Sequence, residues 1–198
     1  MNLFINAVTQ NWTLILFNTN KKILFQKNIE ILGNESSKLI ETIDVFLWEN
    51  NIKYSDLDNL VVVNWPWSFT GVRTIVLAIN TINFIIKKNI TAINFFDLFE
   101  NYPIIKSSSR RDLFVKYKKS DKIEIVKNDD FIKTIINHPS EASFNTKGSK
   151  VYWDLSNNIL SERIEVISKI DYNKIIKNII FQKNKLIEPL YIKKPNIS

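Results

Sequence analysis

The sequence predicts an α/β fold built on a mixed sheet, and three observations lead to this prediction. Three short apolar runs near the N-terminus are joined by turns rich in Asn and Lys, which is typical of an antiparallel meander. Two amphipathic segments with helical periodicity follow. Residues 60–63, which lie between these segments, form a β-branched run of the kind found in a strand that is covered on both faces.

The first helix is predicted directly after the meander. Asn34 is placed to cap a helix that covers residues 35–50. Val45 and Trp48 fall opposite its main apolar face, which a helix packed only once would not need. The strands of the meander are residues 3–8, 13–17 and 23–26. The main apolar face of the helix consists of Leu39, Ile40, Ile43, Phe46 and Leu47.

The strand 60–63 leads through a polar loop into the second helix. Pro66 has no amide proton to give to a sheet ladder, so the predicted strand ends before Asn64. Gly71 opens the helix, which runs to about Lys88. In a sheet built from such units, ligands or partners meet the loop beyond the carboxyl end of the strand.

The second helix also carries two apolar stripes. Leu77 and Phe84 stand in the middle of its polar side. A second stripe implies a second neighbour, which is either more of the protein's own core or a binding partner. The broad apolar face consists of Val72, Ile75, Val76, Ile79, Ile82 and Ile86.

The rest of the chain is less regular, and we predict a division into a lobe of residues 1–103 and a smaller lobe of residues 104–198. The last helix is predicted over residues 171–183, with Ile175, Ile176, Ile179 and Ile180 directed inward. The other predicted elements are strands at 91–95, 104–107, 112–117, 122–126, 150–155 and 163–168, and helical segments at 97–101 and 131–137.

Composition narrows the class of protein. The chain has 198 residues, of which 45% are hydrophobic and 24% charged, values that are ordinary for a globular protein. It has no cysteine, no signal-peptide pattern at its start and no apolar run of the ~20 residues needed to span a bilayer, so we expect a cytoplasmic protein. The net charge of +7 comes from lysines spread along the chain, which favours a solvated basic surface over a dedicated RNA-binding face.

The residues needed for common catalytic sites are missing from the sequence. His138 is the only histidine, which leaves no material for a Ser-His-Asp triad or a two-His metal site, and three glycines cannot build a glycine-rich phosphate loop. Asn6, in the first strand, carries no charge with which to hold a metal or a water near a phosphate. We therefore expect no catalytic residue, no metal and no cofactor, although weak nucleotide binding remains open.

Three separated motifs resemble those of the TsaB (YeaZ) family. Residues 68–73 are similar to its SFTG-[LV]-R signature and residues 188–193 to its closing EPxYLR. Residues 109–112 are similar to its DARR-[GD]-E-V-Y segment, with Ser108 at the acidic position. Residues 3–17 resemble its opening strands, with Asn6 where the family usually has Asp. The motif loop comprises Pro66, Ser68, Phe69, Thr70, Gly71 and Arg73.

The resemblance implies a fold and a function. The element order βββαβαβ is that of one lobe of the actin-like (ribonuclease-H-like) ASKHA fold, and the second lobe is expected to be smaller and degenerate. The family supplies a non-catalytic scaffold that activates the enzyme making threonylcarbamoyladenosine in tRNA. Its partner is the TsaD-type catalytic paralogue, with which it forms a heterodimer, and a TsaE-type ATPase is a further candidate partner. Contact with tRNA is expected to be indirect.

The family's interface is formed by the first two helices, in agreement with the second apolar stripes. The corresponding residues here are Glu41, Val45, Trp48, Arg73, Leu77, Asn80 and Phe84. Two alternatives stay open: a stand-alone actin-like nucleotide-binding protein or phosphotransferase, and a homodimer that uses the same helices.

Two residues depart from the family pattern. Trp65 and Trp67 stand where the family has glycines on either side of Pro66. Either the loop has changed shape and role, or the cell reads these codons as Gly. The second hypothesis is motivated by three glycines beside five tryptophans, and an intact mass of the native protein that matched the sequence would exclude it.

Overall fold

The chain divides into two compact units. The first comprises Met1–Phe95 and Asp171–Tyr191, and the second comprises Phe96–Ile170 and Ile192–Ser198. The predicted division after residue 103 assigns the last helix to the second lobe, whereas this helix belongs to the first unit. The computed structural model describes residues 1–8, 11–30, 35–65, 69–100, 102–107, 112–127, 130, 150–153, 165–166 and 170–188.

A five-stranded mixed sheet forms the centre of the first unit. Its strands are β1 (Asn2–Asn6), β2 (Asn11–Phe17), β3 (Ile23–Glu30), β4 (Asn59–Trp65) and β5 (Asn89–Asn94), in the spatial order β3-β2-β1-β4-β5. The first three pair antiparallel as the predicted meander, while β4 is parallel to β1 and β5 to β4. Successive residues Leu3, Phe4 and Ile5 are fully buried, so the sheet is covered on both faces.

Two helices connect these strands. A 3-10 turn (Glu35–Lys38) leads into helix α1 (Leu39–Glu49), and helix α2 (Phe69–Ile86) joins β4 to β5. The two helices pack together, and α2 packs on β4. Their predicted apolar faces are largely buried, but Ile40 is exposed because it lies at the flank of the buried arc.

The strand and the helix beside the motif loop both extend further than predicted. The pairing of β4 with β5 continues through Trp65, so the prediction that the strand ends before Asn64 was wrong. A proline removes only its own amide from a ladder, and Pro66 therefore leaves its predecessor able to pair. Helix α2 begins at Phe69 rather than at Gly71. Because the first amides of a helix have no acceptor within it, residues 69 and 70 can form its first turn without one.

The C-terminal part of the first unit contains helix α3 (Tyr172–Asn178) and an extended segment. The helix stops short of the predicted residue 183 because Ile179 has extended backbone angles, φ −60° and ψ 127°. The chain then runs beside β5, where the amide of Ile90 donates to the carbonyl of Asn184 at 2.8 Å. A single bridge thus joins the edge strand β5 to a segment distant in sequence.

This C-terminal part covers one face of the sheet. Tyr172 packs edge-on against Phe4 with ring centroids 5.6 Å apart, and Phe181 stacks on Phe17 at 6.3 Å. Of the isoleucines predicted to point inward, Ile176 and Ile179 are buried and Ile175 is half-buried. Ile180 is exposed, contrary to prediction, because the helix has already ended.

The second unit contains another sheet, whose strands lie in the segments where strands were predicted and which has five strands like the first. They are β6 (Ile104–Ser107), β7 (Asp112–Lys116), β8 (Glu124–Lys127), β9 (Lys150–Trp153) and β10 (Glu165–Val166), in the order β10-β9-β6-β7-β8. A 3-10 turn, Phe95–Leu98, precedes them. The helix predicted at 131–137 lies outside the described residues. Within the described part of the chain, none of the helices is long and apolar enough to cross a membrane.

Candidate docking face and a closed strand end

Helices α1 and α2 expose large apolar side chains on the side turned away from their buried faces. Trp48 is 79% exposed, Leu77 68% and Phe84 80%, while Val45 is 43% exposed. Ile85, next to Phe84, is also largely exposed. We call Val45, Trp48, Leu77, Phe84 and Ile85 the docking face. Concentrated apolar exposure of this kind is typical of an interaction site rather than of a solvated helix.

The spacing of residues explains how one helix is apolar on two sides. In α2, Leu77 and Phe84 are seven residues apart, so both point in nearly the same direction. Ile75, Ile79 and Ile82 point the opposite way and are buried. The sequence therefore correctly identified a second stripe, and the structure leaves it at the surface of the first unit rather than in its core.

One predicted interface residue is engaged inside the protein. The side chain of Asn80 donates from Nδ2 to the carbonyl of Ile187 at 2.9 Å and accepts at Oδ1 from the amide of Ile187 at 3.0 Å. Asn83, one turn further on, is buried and donates to the carbonyls of Lys185 at 2.7 Å and Lys88 at 3.0 Å. Asn80 is therefore placed to hold the C-terminal segment.

The two charged residues of the predicted interface lie at the surface. Glu41 is exposed on α1, and Arg73 is exposed near the start of α2. The other carboxylates of α1 have internal partners: Asp44 accepts from the Tyr54 hydroxyl at 2.5 Å, and Glu49 pairs with Lys27 at 2.6 Å. Partial burial, assisted by the hydrogen bond to Asp44, raises the pKa of Tyr54 well above its ordinary value.

Two of the exposed apolar residues that sequence reasoning missed lie on α2 and on the segment that Asn80 and Asn83 hold. Ile85 belongs to neither stripe of the predicted pattern, yet it follows Phe84 and lies at its flank on the helix. Leu186 is 64% exposed in the extended segment. Residues 182–186 and 188 are all exposed and only Ile187 is buried, so no periodic pattern in the sequence could have singled out Leu186.

The motif loop is described only in part. The backbone of Phe69, Thr70 and Gly71 forms the first turn of α2. Pro66 and Ser68 lie outside the described residues.

The carboxyl end of β1 is occupied by a directional chain of hydrogen bonds. Asn6 donates from Nδ2 to the hydroxyl oxygen of Tyr172, which donates to Oγ1 of Thr13, each at 3.0 Å. The Thr13 hydroxyl in turn donates to Oδ1 of Asn28, also at 3.0 Å. Oδ1 of Asn6 accepts from the amide of Val8 at 3.3 Å, so both polar atoms of this buried side chain are satisfied.

The chemistry of this strand end follows from that chain. Burial raises the pKa of Tyr172, and the hydrogen bonds with Thr13 and Asn6 lower it by less, so the phenol is neutral at physiological pH. A neutral amide and two hydroxyls therefore hold one another at this strand end. Among the described residues, no cluster of three or more His, Asp or Glu side chains is arranged to bind a metal.

Comparison with known proteins shows what the chain resembles. No family model and no curated protein matches the sequence. Among solved structures, the chain matches YeaZ from Pseudomonas aeruginosa, with a TM-score of 0.53 and 14% identity over 63% of this chain and 66% of that one. It also matches an uncharacterised protein similar to the peptidase YeaZ from Pseudomonas aeruginosa, with a TM-score of 0.54 and 13% identity over 63% of this chain and 65% of that one.

These likenesses establish the fold. The chain spans just under two thirds of the length of both structures, 66% and 65%. It shares the α/β fold of YeaZ, as the three sequence motifs implied, with a mixed sheet flanked by helices.

Proposed function

We propose that this chain is a diverged TsaB-type scaffold, which activates the enzyme that makes threonylcarbamoyladenosine in tRNA. It acts without catalysing the reaction itself, by binding the TsaD-type catalytic paralogue in the cytoplasm through the docking face. The observation that carries the proposal is the exposure of Trp48, Leu77 and Phe84, each at least 68%, on two packed helices. The proposal includes the fold: the chain is an actin-like ASKHA protein whose second lobe is smaller and degenerate.

The size and type of these side chains suit a protein interface. Aromatic residues dominate interface energetics, because each removes a large apolar area from water at a small cost in side-chain entropy. Trp48 and Phe84 provide two such residues, and Leu77 lies in line with Phe84. Exposed apolar groups on two packed helices suit a partner that presents helices of its own.

The strand end supports the scaffold over a nucleotide-binding enzyme. Asn6 has no carboxylate with which to hold a metal or polarise a water, and its amide is engaged by Tyr172 and Val8. Entry of a phosphate would require this buried chain of hydrogen bonds to break, which costs several kcal/mol at roughly 1–3 kcal/mol per unsatisfied group.

The test is co-purification with the TsaD-type protein of the same genome, followed by an assay of threonylcarbamoyl transfer to tRNA by each chain and by both. A stable complex whose activity requires both chains is expected. Leu77→Asp or Phe84→Asp should weaken binding by about 2–4 kcal/mol, or roughly 30- to 1,000-fold. Ile180→Asp, at an equally exposed position beyond α3, serves as the control and should bind normally.

Other outcomes identify other functions. Tight nucleotide binding by the chain alone that is lost in Arg73→Ala would favour the stand-alone nucleotide-binding alternative. Dimerisation of the chain alone, abolished by Leu77→Asp, would instead assign the docking face to a second copy.

A further inference from the structure

Residues 171–188, which we call the C-terminal strap, are held on the first unit largely by side chains. The side chains that bind the backbone of its extended segment are Thr91 at Gln182, Asn83 at Lys185 and Asn80 at Ile187. Among the described residues, the backbone of the strap pairs with a strand at one bridge, between Ile90 and Asn184. The strap is therefore fastened at separate points, unlike the strands of the sheet, which pair along continuous ladders.

The strap buries few apolar side chains. Its buried residues are Ile176, Ile179 and Ile187, whereas every residue of β1 is buried. Elements with few buried apolar contacts open at a lower free energy than the core of the same domain. These properties place the strap at the low-stability end of the first unit.

Lys21 binds the strap at its middle, where α3 ends. Its Nζ donates to the carbonyl of Lys177 at 3.2 Å and to that of Ile179, and it lies 5.5 Å from the ring centroid of Phe181. The last carbonyls of a helix lack intrahelical partners and carry partial negative charge, so an ammonium group is well suited to bind them. One side chain from the turn between β2 and β3 thus holds both the end of α3 and the start of the extended segment.

The turn between β2 and β3 positions Lys21 through its backbone. Lys21 has φ 60°, and its amide donates to the carbonyl of Asn18 at 3.0 Å. Phe17, which precedes this turn, stacks on Phe181 and so places the strap beside Lys21. Lysine is disfavoured at this backbone angle and glycine is not, which indicates a role for the lysine side chain rather than for its backbone.

We propose that the C-terminal strap opens as one unit while the five-stranded sheet stays folded, and that Lys21 is the latch that keeps the strap closed. Opening withdraws Tyr172 from Asn6 and Thr13, because the contacts of the strap are released together. The latch therefore determines whether the carboxyl end of β1 is covered. This opening needs no partner and is independent of the docking face.

Amide hydrogen exchange of the isolated chain tests the latch with Lys21→Met. Loss of hydrogen bonds from a charged group should speed exchange in residues 172–188 by about tenfold or more and leave the amides of β1 and β4 unchanged. Lys22→Met, at an exposed neighbouring position of the same turn, is the matched control and should exchange like the wild type. Unchanged exchange in the strap of Lys21→Met overturns the proposal. Equal acceleration in β1 and β4 also overturns it, because the strap would then open only with the whole unit.

Trypsin digestion of Lys21→Gly separates the latch from the turn. Cleavage after the exposed Lys183 and Lys185 requires the strap to open locally, and mass spectrometry identifies the products. Glycine suits φ 60° better than lysine, so this variant keeps the turn while it removes the ammonium group. We expect faster cleavage at both sites in Lys21→Gly and in Lys21→Met than in the wild type. If Lys21→Gly is cleaved like the wild type while Lys21→Met is cleaved faster, strain in the turn explains the opening and Lys21 is not a latch.

Discussion

The two sides of α2 differ in a way that reverses the usual relation between polarity and exposure. On one side the apolar Leu77 and Phe84 face solvent, while on the other the polar Asn83 is only 3% exposed and Asn80 is half-buried. Burial of Asn83 and partial burial of Asn80 are possible because the C-terminal segment offers backbone groups that match their amides. No described element of the first unit covers the leucine and phenylalanine, which is why they remain available for a partner.

Among the residues on the two sides of α2, Asn83 is expected to have the largest effect on folding. Replacing it with Ala leaves the carbonyl of Lys185 and the amide of Lys88 without their partner, so Asn83→Ala should lower the free energy of unfolding by about 2–4 kcal/mol. Chemical denaturation measures this loss. Thr81→Ala, at an exposed position of the same helix, is the control, and equal stability of the two variants would contradict the structural role of Asn83.

Removal of the Tyr172 hydroxyl should cost less. Tyr172→Phe leaves Asn6 without its acceptor and Thr13 without its donor, and we expect a loss of about 1–2 kcal/mol in the free energy of unfolding. The ring contact with Phe4 is kept, so the effect isolates the hydrogen bonds. A variant as stable as the wild type would show that the chain of hydrogen bonds contributes nothing net.

The same pair of proteins gives a pH dependence. The folded-state pKa of Tyr172 is raised by burial above its unfolded value of about 10, so the neutral phenol stabilises the fold fully below that pH. This contribution is lost as the pH rises through the folded-state pKa. The stability difference between wild type and Tyr172→Phe should therefore be constant near neutrality and shrink above about pH 10. If the stability difference instead grew above about pH 10, the pKa of Tyr172 would be lowered in the folded state rather than raised.

Asn80→Ala is expected to destabilise the unit by only about 1 kcal/mol, because its bonds to Ile187 are half-buried and water can replace them. Thermal unfolding measures the change. If Asn80→Ala instead lowers the free energy of unfolding as much as Asn83→Ala, the difference in burial between the two asparagines does not determine their contributions to stability.

The smallest effect on folding is predicted for the docking face. Leu77→Asp and Phe84→Asp should change the free energy of unfolding by no more than about 0.5 kcal/mol, since both side chains are exposed. Circular dichroism and denaturation of the chain alone measure this. Unfolding of either variant would show that these residues belong to the core after all.

The sequence predicted what depends on local periodicity. The meander, the two helices and the apolar stripe at Leu77 and Phe84 follow from spacing within single elements, and the structure confirms them. Asn80 was assigned to the outer surface because nothing near it in sequence shows that Ile187 will lie beside it. Leu186 was missed for the same reason, since its neighbours Lys185 and Ile187 are held by Asn83 and Asn80, which are distant in sequence.

The carboxyl end of β1 shows the same limit of prediction from sequence. Asn6 was recognised as a residue that cannot replace a catalytic carboxylate, which needed only its chemistry. That Tyr172 fills its hydrogen bonds, across 166 positions of sequence, could be learned only from the fold. The early end of α3 also reflects tertiary contacts, because Gln182 donates its amide to Thr91 and the chain is drawn along β5 rather than onward as helix.

The discontinuous first unit constrains the order of events during synthesis. Met1–Phe95 leaves the ribosome long before Asp171–Tyr191, so the outer edge of β5 and the amides of Asn80 and Asn83 stay unpaired while the intervening residues are made. An unpaired strand edge is a template for wrong association. The nascent chain therefore carries both an open sheet edge and an exposed apolar helix face until its C-terminal segment arrives, which makes this interval the time at which a chaperone would be most useful to it.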